Sequence, residues 1–233
     1  MRYDYSITYN DKNSWEMRTP VKWRPAIPAP ELDQDVIVIP GRDGALMSSI
    51  KRYEPIEIEV EFNFLDCPDL WAERFRAAKK WLTGSGTLEQ SDDPEYYFRV
   101  LKAEITDTER TSQRLGNFTA TFLCDPYMYR KDGRVAYDIE TVKNNLYEVC
   151  HPIYCISGTG SAILTVNGHS MGVNVTDKAY IDTDLMIAYD SENANISTAV
   201  TGDYSDFYLQ TGQNTITITS GFNLTVIPNW RSL

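Results

Sequence analysis

The sequence has little of what nucleophilic or metal-dependent catalysis requires. Histidine occurs only twice, at His151 and His169, which leaves little material for a Ser-His-Asp or Cys-His mechanism. The four cysteines form no CxxC pair, so we expect reduced thiols. Cys150, His151 and Cys155 could supply three zinc ligands, but a structural site needs a fourth, and strand alternation sends neighbours to opposite faces. The sequence therefore predicts a protein that is not an enzyme and holds no cofactor or metal.

Basic clusters and long apolar runs are also missing. The formal net charge is -11, the sequence pI is near 4.7, and no group of Lys and Arg stands out. Such a surface repels phosphate backbones and anionic membranes. The first residues lack the apolar stretch of a signal peptide, and no run approaches the about 18 apolar residues of a membrane span. We expect no membrane association and folding in the cytoplasm.

The clearest strand in the sequence carries an acidic face. Apolar residues occupy alternate positions from Ile56 to Phe64, and Glu57, Glu59 and Glu61 lie between them. This period of two predicts a strand with one face in the core and one in solvent. Carboxylates two residues apart on an exposed strand usually serve solubility, so the strip is not a predicted acid-base site.

One substantial helix is predicted directly after this strand. Pro68 suits the first helical position, and Trp71, Phe75, Ala78 and Leu82 follow at helical spacing. The aromatic stripe is better explained by packing on a sheet than by a ligand platform. The amino-terminal part is therefore predicted to be an α+β module.

A proline-rich segment precedes the acidic strand. Four prolines lie between Pro20 and Pro30, with Trp23 among them. This spacing is too dense for a helix or a central strand, so it predicts an extended surface arm. Such an arm rests either on its own domain or on a neighbouring subunit, and the residues alone leave both options open.

A glycine-flanked loop follows a short apolar strand. The strand is predicted at Val36–Ile39 and ends at Pro40, before Gly41-Arg42-Asp43-Gly44. Two glycines at this spacing permit positive φ and indicate a tight loop. A phosphate-binding loop would need more inward amides, a following helix and usually a lysine, so that function is disfavoured.

The stretch from Gly116 to Arg130 is predicted to end the first domain. Phe118, Ala120, Phe122 and Cys124 fall on one side of an extended chain, as in a strand buried on one face. The other side carries Asn117, Thr119, Thr121 and Leu123. Pro126 lacks an amide, so we expect strand pairing to end there. The polar residues 131–145 then predict a linker.

The second part reads as all β. The turn signal Asn167-Gly168 lies within a series of short strands about ten residues apart, a cadence typical of a sandwich. The predicted strands are Ile153–Ser157, Ala162–Val166, Val173–Val175, Lys178–Ile181, Met186–Asp190, Phe207–Leu209, Thr215–Thr219 and Phe222–Ile227.

Two binding sites are conceivable in this second part. Asp182, Asp184 and Asp190 offer oxygen ligands without the spacing of an EF-hand, so a solvated strand end is the better interpretation. Exposed aromatic residues could stack on sugar rings, although aromatics more often fill a core or an interface. The candidates for such stacking are Tyr204, Tyr208 and Trp230.

Several motifs in order resemble one known family. They are GRDG after a short strand, the strand before the helix, FTATFLCDPYMY, ISGTGSAILTVNG, YIDTD, LQTGQNTITI and the terminal IPNW. Their order along nearly the whole chain resembles the distal tail protein (Dit) family of siphovirus-type bacteriophages. Each motif alone is weak, and the sequence in which they occur carries the resemblance.

The resemblance implies a fold and a place in the virion. It implies a mainly β protein with an amino-terminal α+β ring-forming domain (a β-sandwich or split barrel with one helix) at residues 1–132. A galectin-like β-sandwich would follow at residues 145–233. The family role is structural: a homo-hexameric hub at the tail tip, assembled in the bacterial host cytoplasm. Its partners would be the tail tube protein and the tail-associated fibre or lysin protein, with receptor-binding or baseplate proteins as further candidates.

The resemblance gives the proline-rich arm a role as a clasp on the adjacent subunit. The residues we expect at this oligomer interface are Trp23, Pro25, Pro28, Arg42 and Asp43. DNA would pass through the lumen of the ring without specific binding. Part of the acidic strip, or of the acidic loops, is a candidate for lining that channel.

Two other classes compete with the hub. The first is a carbohydrate-binding, lectin-like module for host cell-surface glycans, and the second is a hydrolase accessory domain. Light scattering distinguishes a hexamer from a monomeric lectin, and a hydrolase would need a cleft with perturbed carboxylates.

Overall fold

The computed structural model describes residues 5–109 and 112–233. Tyr3, Tyr5, Ile7 and Tyr9 alternate with polar residues and predict an opening hairpin, of which Tyr3 lies outside these ranges. The chain divides into two compact units. The first runs to Met128 and includes Leu233, and the second spans Tyr129–Ser232. Both consist mainly of strands, as the sequence predicts.

The described residues of the first unit form one larger sheet, one helix and a separate hairpin. The sheet order is β2-β1-β6-β7-β8, and β5 adds to β8 as a further strand. Among the described residues, β3 and β4 pair only with each other. The elements are β1 (Ile7–Tyr9), β2 (Lys12–Asn13), β3 (Leu32–Ile37), β4 (Leu46–Tyr53), β5 (Ile56–Leu65), α1 (Trp71–Trp81), β6 (Gly84–Gln90), β7 (Asp93–Glu109) and β8 (Leu115–Arg130).

The predicted strand and helix form the core of this unit. Ile56 to Phe64 alternate buried and outward positions, as predicted. β5 pairs antiparallel with β8 without a shift, from Ile56↔Cys124 to Leu65↔Leu115. α1 covers the buried face, with the Phe75 ring centroid 6.0 Å from that of Phe118. The Trp81 indole N–H donates to the Tyr9 carbonyl at 2.9 Å, which ties the helix to β1.

The helix begins three residues later than predicted. Leu70 N–H donates to the Cys67 carbonyl at 3.0 Å, so residues 67–70 form a turn that contains Pro68. The regular helix starts at Trp71. The earlier start assigned to Pro68 is wrong because the proline lies in this preceding turn, where its missing N–H is equally harmless.

Strand β8 continues through Pro126, contrary to prediction. It extends to Arg130, although Pro126 has no N–H. The backbone groups of successive residues point to opposite edges, so those of Pro126 share the edge of Cys124, which is the last residue of β8 opposite β5. Pro126 lies beyond the end of β5, so its missing N–H costs no hydrogen bond to that strand.

The hairpin of β3 and β4 also differs from the sequence interpretation. The first strand is Leu32–Ile37, so Val38 and Ile39 belong to the connecting loop and not to a strand. Its partner β4 was not predicted, because its sequence LMSSIKRY lacks clean alternation.

The second unit contains two larger sheets around one core. The orders are β15-β14-β11-β19-β9 and β16-β13-β12-β18, with β10 paired to β17. The elements are β9 (Tyr137–Asp138), α2 (Ile139–Val142), β10 (Asn144–Asn145), β11 (Ile153–Ser157), β12 (Gly160–Val166), β13 (His169–Val175), β14 (Lys178–Asp182), β15 (Ile187–Asp190), β16 (Val200–Thr201), β17 (Gly212–Gln213), β18 (Ile216–Ile218), β19 (Asn223–Ile227) and β20 (Arg231–Ser232).

Most predicted strands of this unit are present. Asn167 and Gly168 have φ of 50° and 90°, as a tight hairpin turn between β12 and β13 requires. The predicted strand Phe207–Leu209 is wrong: Tyr204–Phe207 is a 3-10 helix, and only Leu209 forms an isolated bridge, with Cys150. Asp203 caps this short helix by accepting from Ser205 N–H at 3.0 Å, a local bond that competes with strand pairing.

The segment predicted as a linker is structured. Within residues 131–145, Tyr137 and Asp138 pair with Val226 and Thr225 of β19. The short helix α2 follows and buries Val142 in the core of the second unit. These residues therefore form part of the second unit. The linker prediction was wrong because it rested only on the polarity of the segment.

Candidate subunit interface

The proline-rich arm begins as a short addition to the outer edge of β5. Val21 bridges Phe62. Lys22 N–H donates to the Glu61 carbonyl at 2.8 Å, and Asn63 N–H donates to the Pro20 carbonyl at 3.0 Å. After these bonds, residues 24–31 have no regular secondary structure. Prolines cannot continue the donor ladder, so the arm leaves the strand edge here.

Trp23 lies on the outside of this arm. Its side chain is 53% exposed. The Lys22 ammonium is 3.8 Å from the ring centroid and 3.1 Å from Glu61 Oε2. This places a cation over the aromatic face and holds the ring without burying it. The prediction that Trp23 rests on its own domain is not favoured by this exposure, whereas a covering neighbour would bury a large apolar surface.

The arm and the acidic strip enclose an open groove of about 540 Å³. Trp23, Pro25 and Pro28 line it from the arm, and Glu57 and Glu59 line it from β5. Pro28 is exposed, whereas Pro25 is buried and anchors the arm. The structure thus brings three of the five predicted interface residues into one groove.

The arm is fixed further along by an ion pair. Arg24 Nε lies 2.6 Å from Asp92 Oδ2, on the loop between β6 and β7. Both side chains are well exposed, so the pair contributes little free energy and mainly sets the direction of the arm.

The other two predicted interface residues lie on a different element. Arg42 and Asp43 are exposed in the loop between β3 and β4, and Gly41 and Gly44 have φ of 83° and 82°. Those left-handed conformations explain the two glycines without any phosphate. The hairpin hence presents Arg42 and Asp43 separately from the groove.

The loop of the hairpin exposes apolar residues that the sequence interpretation placed in a strand. Val38 is 71% exposed and Ile39 is 40% exposed. Ile37 and Leu46, which pair at the end of the hairpin, are also exposed. A contiguous exposed apolar patch on a two-stranded hairpin is a typical contact surface. The signal in the sequence was the run Val36–Ile39 with no polar alternation.

The side chains considered for catalysis are engaged in structural bonds. His151 Nδ1 lies 2.9 Å from Asp184 Oδ1, and its Nε2 lies 3.1 Å from Arg231 Nη2. The imidazole also stacks on Tyr208, with centroids 4.0 Å apart. A general base would direct its second nitrogen at a nucleophile, whereas this one faces a guanidinium.

The surroundings of the two cysteines considered as metal ligands disfavour metal binding. Cys150 is buried, and its thiol donates to the Glu148 carbonyl at 3.1 Å. Burial raises the pKa of the Cys150 thiol, and it raises that of Cys155 to about 11. Such thiols keep their protons at neutral pH and are poor ligands. Across residues 5–109 and 112–233, no group of three or more His, Cys, Asp or Glu is arranged to hold a metal ion.

The proposed sugar-stacking aromatics are occupied as well. Trp230 packs against Tyr137 and Tyr147, with ring centroids 5.1 and 5.6 Å away. Tyr208 stacks on His151, and Tyr204 packs against the core of the second unit.

Asp182 Oδ1 accepts from the N–H groups of Asp184 and Leu185, which explains this carboxylate as a turn residue.

Comparison with known proteins identifies one fold. The chain is similar to the crystal structure of SPP1 Dit (gp 19.1). The TM-score is 0.71, and the similarity covers 98% of both chains at 13% sequence identity. That protein is described as a paradigm of the hub adsorption apparatus in phages that infect Gram-positive bacteria. The Dit fold, implied by the order of motifs, is thereby confirmed. No protein-family model and no curated sequence matches the chain. No helix in the described part of the chain is long and apolar enough to cross a membrane.

Proposed function

We propose that this protein is a structural subunit of the tail tip of a siphovirus-type bacteriophage. Six copies form a ring through the first unit, and this hub joins the tail tube to the tail-associated fibre or lysin protein. The second unit is a galectin-like sandwich that projects from the ring. For the ring-forming domain we propose residues 1–132, and for the sandwich residues 145–233 together with the short elements from Tyr137 to Val142 that pack with it. The protein acts in the virion and catalyses no reaction.

One observation carries the proposal: the Dit fold is combined with apolar surfaces that a single copy leaves uncovered. Trp23 on the arm and Val38 on the hairpin are both more than half exposed. Tryptophan is among the residues that contribute most to protein interfaces. A ring closes through heterologous contacts, in which one surface of each copy meets a different surface of the next. The arm and the hairpin offer two such projecting surfaces.

Native mass spectrometry and light scattering test the ring. The chain alone, or with its tail tube protein, should give a particle of six times 26.6 kDa. Val38→Asp with Ile39→Asp should reduce the particle to monomers, since charges would be buried at the contact. Leu146→Asp, at a site 77% exposed in the second unit, is the matched control and should leave the ring intact. A chain that stays monomeric in both preparations would show that the hub proposal is wrong.

A lectin-like module is not favoured. Sugar rings need an open aromatic face. Tyr208 stacks on His151, and Trp230 packs against Tyr137 and Tyr147, so both rings already take part in contacts within the second unit.

A further inference from the structure

Strand β5 is the last strand of its sheet and has an incompletely used outer edge. Its inner edge pairs with β8 over its full length, Ile56–Leu65. Its outer edge is bridged by the arm at Phe62. Among residues 5–109 and 112–233, no other strand pairs with β5. An open strand edge is a template for pairing with another chain.

The direction of the unused backbone groups follows from the bonds of the arm. The Glu61 carbonyl and the Asn63 N–H both point to the outer edge, because they bond to the arm. Backbone groups of alternate residues share an edge, and β5 contains no bulge. Glu57 and Glu59 therefore also direct their N–H and C=O groups outward. The arm bonds to Glu61 and Asn63. The outward backbone groups of Glu57 and Glu59 form no such hydrogen bond to any described residue.

The groove provides room beside this edge. It separates Glu57 and Glu59 from Ile27 and Pro28 of the arm. The arm itself cannot fill the edge, since its prolines lack donors. The free stretch from Ile56 to Val60 spans roughly 16 Å at the rise of a strand, which suits a segment of about five residues.

We propose that the outer edge of Ile56–Val60 accepts an extended segment of another protein that carries lysine or arginine at alternate positions. The segment adds to β5 by main-chain hydrogen bonds. Residues directly opposite each other in a ladder lie on the same face of the sheet. The basic side chains therefore stand opposite Glu57 and Glu59, and the apolar residue between them lies opposite Ile58.

Charge selects this occupant over two others. DNA is repelled by the carboxylates, so it is not the bound occupant of this groove. A second copy of this chain carries a net charge of -11 and would bring more negative charge to the strip. A basic segment is complementary to the groove both in charge and in backbone donors and acceptors.

Calorimetric titration of the full chain at concentrations where it is monomeric tests the inference, independently of ring formation. The probe is a peptide of alternating lysine and valine, about eight residues long. It should bind saturably, and Glu57→Lys with Glu59→Lys should weaken binding on the order of tenfold or more. Glu16→Lys with Glu192→Lys makes the same charge change at exposed sites outside the groove, and it should have a much smaller effect.

A second peptide separates strand addition from simple charge attraction. Methylation of the lysine amides removes the donors to the Glu57 and Glu59 carbonyls and should weaken binding on the order of tenfold. Absence of binding, equal binding of the methylated peptide, or equal loss in both double variants would overturn the proposal. Self-association of the chain that Glu57→Lys with Glu59→Lys abolishes would also overturn it, by assigning the edge to a second copy.

Discussion

Phe62 and Phe118 stand opposite each other in the ladder of β5 and β8, with their rings stacked and their centroids 5.0 Å apart. Both side chains are buried, and Phe118 also meets Phe75 of α1. The pair thus joins the two strands and the helix at one point of the core. This contact arises from two period-two patterns that lie more than fifty residues apart in the sequence.

Replacement of Phe118 should be among the costly changes in the first unit. We expect Phe118→Ala to lower the free energy of unfolding by about 3–5 kcal/mol, because it leaves a cavity beneath α1. Leu101→Ala, at an exposed site of β7, should change it by less than about 1 kcal/mol. Urea denaturation followed by circular dichroism measures both. Similar values for the two variants would contradict the assigned core.

Gly116 should not tolerate a methyl group. A Cβ built there would lie 2.5 Å from the Phe64 ring and 2.9 Å from Trp71 Nε1. Two aromatic rings, one held in the core and one on α1, would have to shift. We predict that Gly116→Ala lowers the free energy of unfolding by about 1–3 kcal/mol. Thermal unfolding tests this, with Gly172→Ala as a comparison, where the main obstacle is the Thr201 hydroxyl on a short side chain.

Only one thiol should react rapidly in the native protein. Cys67 is exposed, whereas Cys124 and Cys150 are buried and Cys155 is half-buried. Burial raises the pKa of the Cys124 thiol to about 12, so thiolate is scarce there near neutral pH. A chromogenic disulfide reagent at about pH 8 should release one equivalent quickly and the other three only in denaturant. Cys67→Ala should abolish the rapid phase. Rapid release of two or more equivalents would contradict the burial of the other thiols.

Stability should fall in alkaline solution. Cys124 and Cys155 have pKa values of about 12 and about 11 in the folded chain, raised from 9.0 by burial. Between pH 9 and these values the unfolded chain has lost the protons and the folded chain keeps them. The unfolded state then binds fewer protons, so the free energy of unfolding decreases as pH rises, by up to about 1.4 kcal/mol per pH unit for each thiol.

Urea denaturation at about pH 8 and about pH 10.5 measures this slope. Cys124→Ala removes one titrating group and should make the slope shallower, whatever its effect on stability at the lower pH. An unchanged slope in this variant would indicate that the Cys124 thiol ionises equally in both states.

The sequence was most informative where burial imposes a strict period. β5, α1 and the hairpin turn at Asn167-Gly168 were predictable because each has a local pattern with a single physical explanation. The passage of β8 through Pro126 was not, since it depends on where β5 ends. β4 was missed because its sequence LMSSIKRY has no strict alternation of apolar and polar residues.

The groove could not be derived from the sequence. Trp23 and the acidic strip were each recognised, but their proximity depends on the bridge between Val21 and Phe62, about forty residues apart. Val38 and Ile39, in the exposed loop of the hairpin, were assigned to a strand. A continuous run of apolar residues is equally typical of a buried strand.

The acidic side chains of β5 affect self-association of the protein at high concentration. Unprotected strand edges let identical molecules join into fibres, and a protein made in many copies meets itself constantly. If two copies paired through this edge, the carboxylates of Glu57 and Glu59 in one copy would lie close to the same carboxylates in the other and repel them. The two carboxylates thus disfavour pairing of identical copies through this edge, while they leave the edge available to a basic segment.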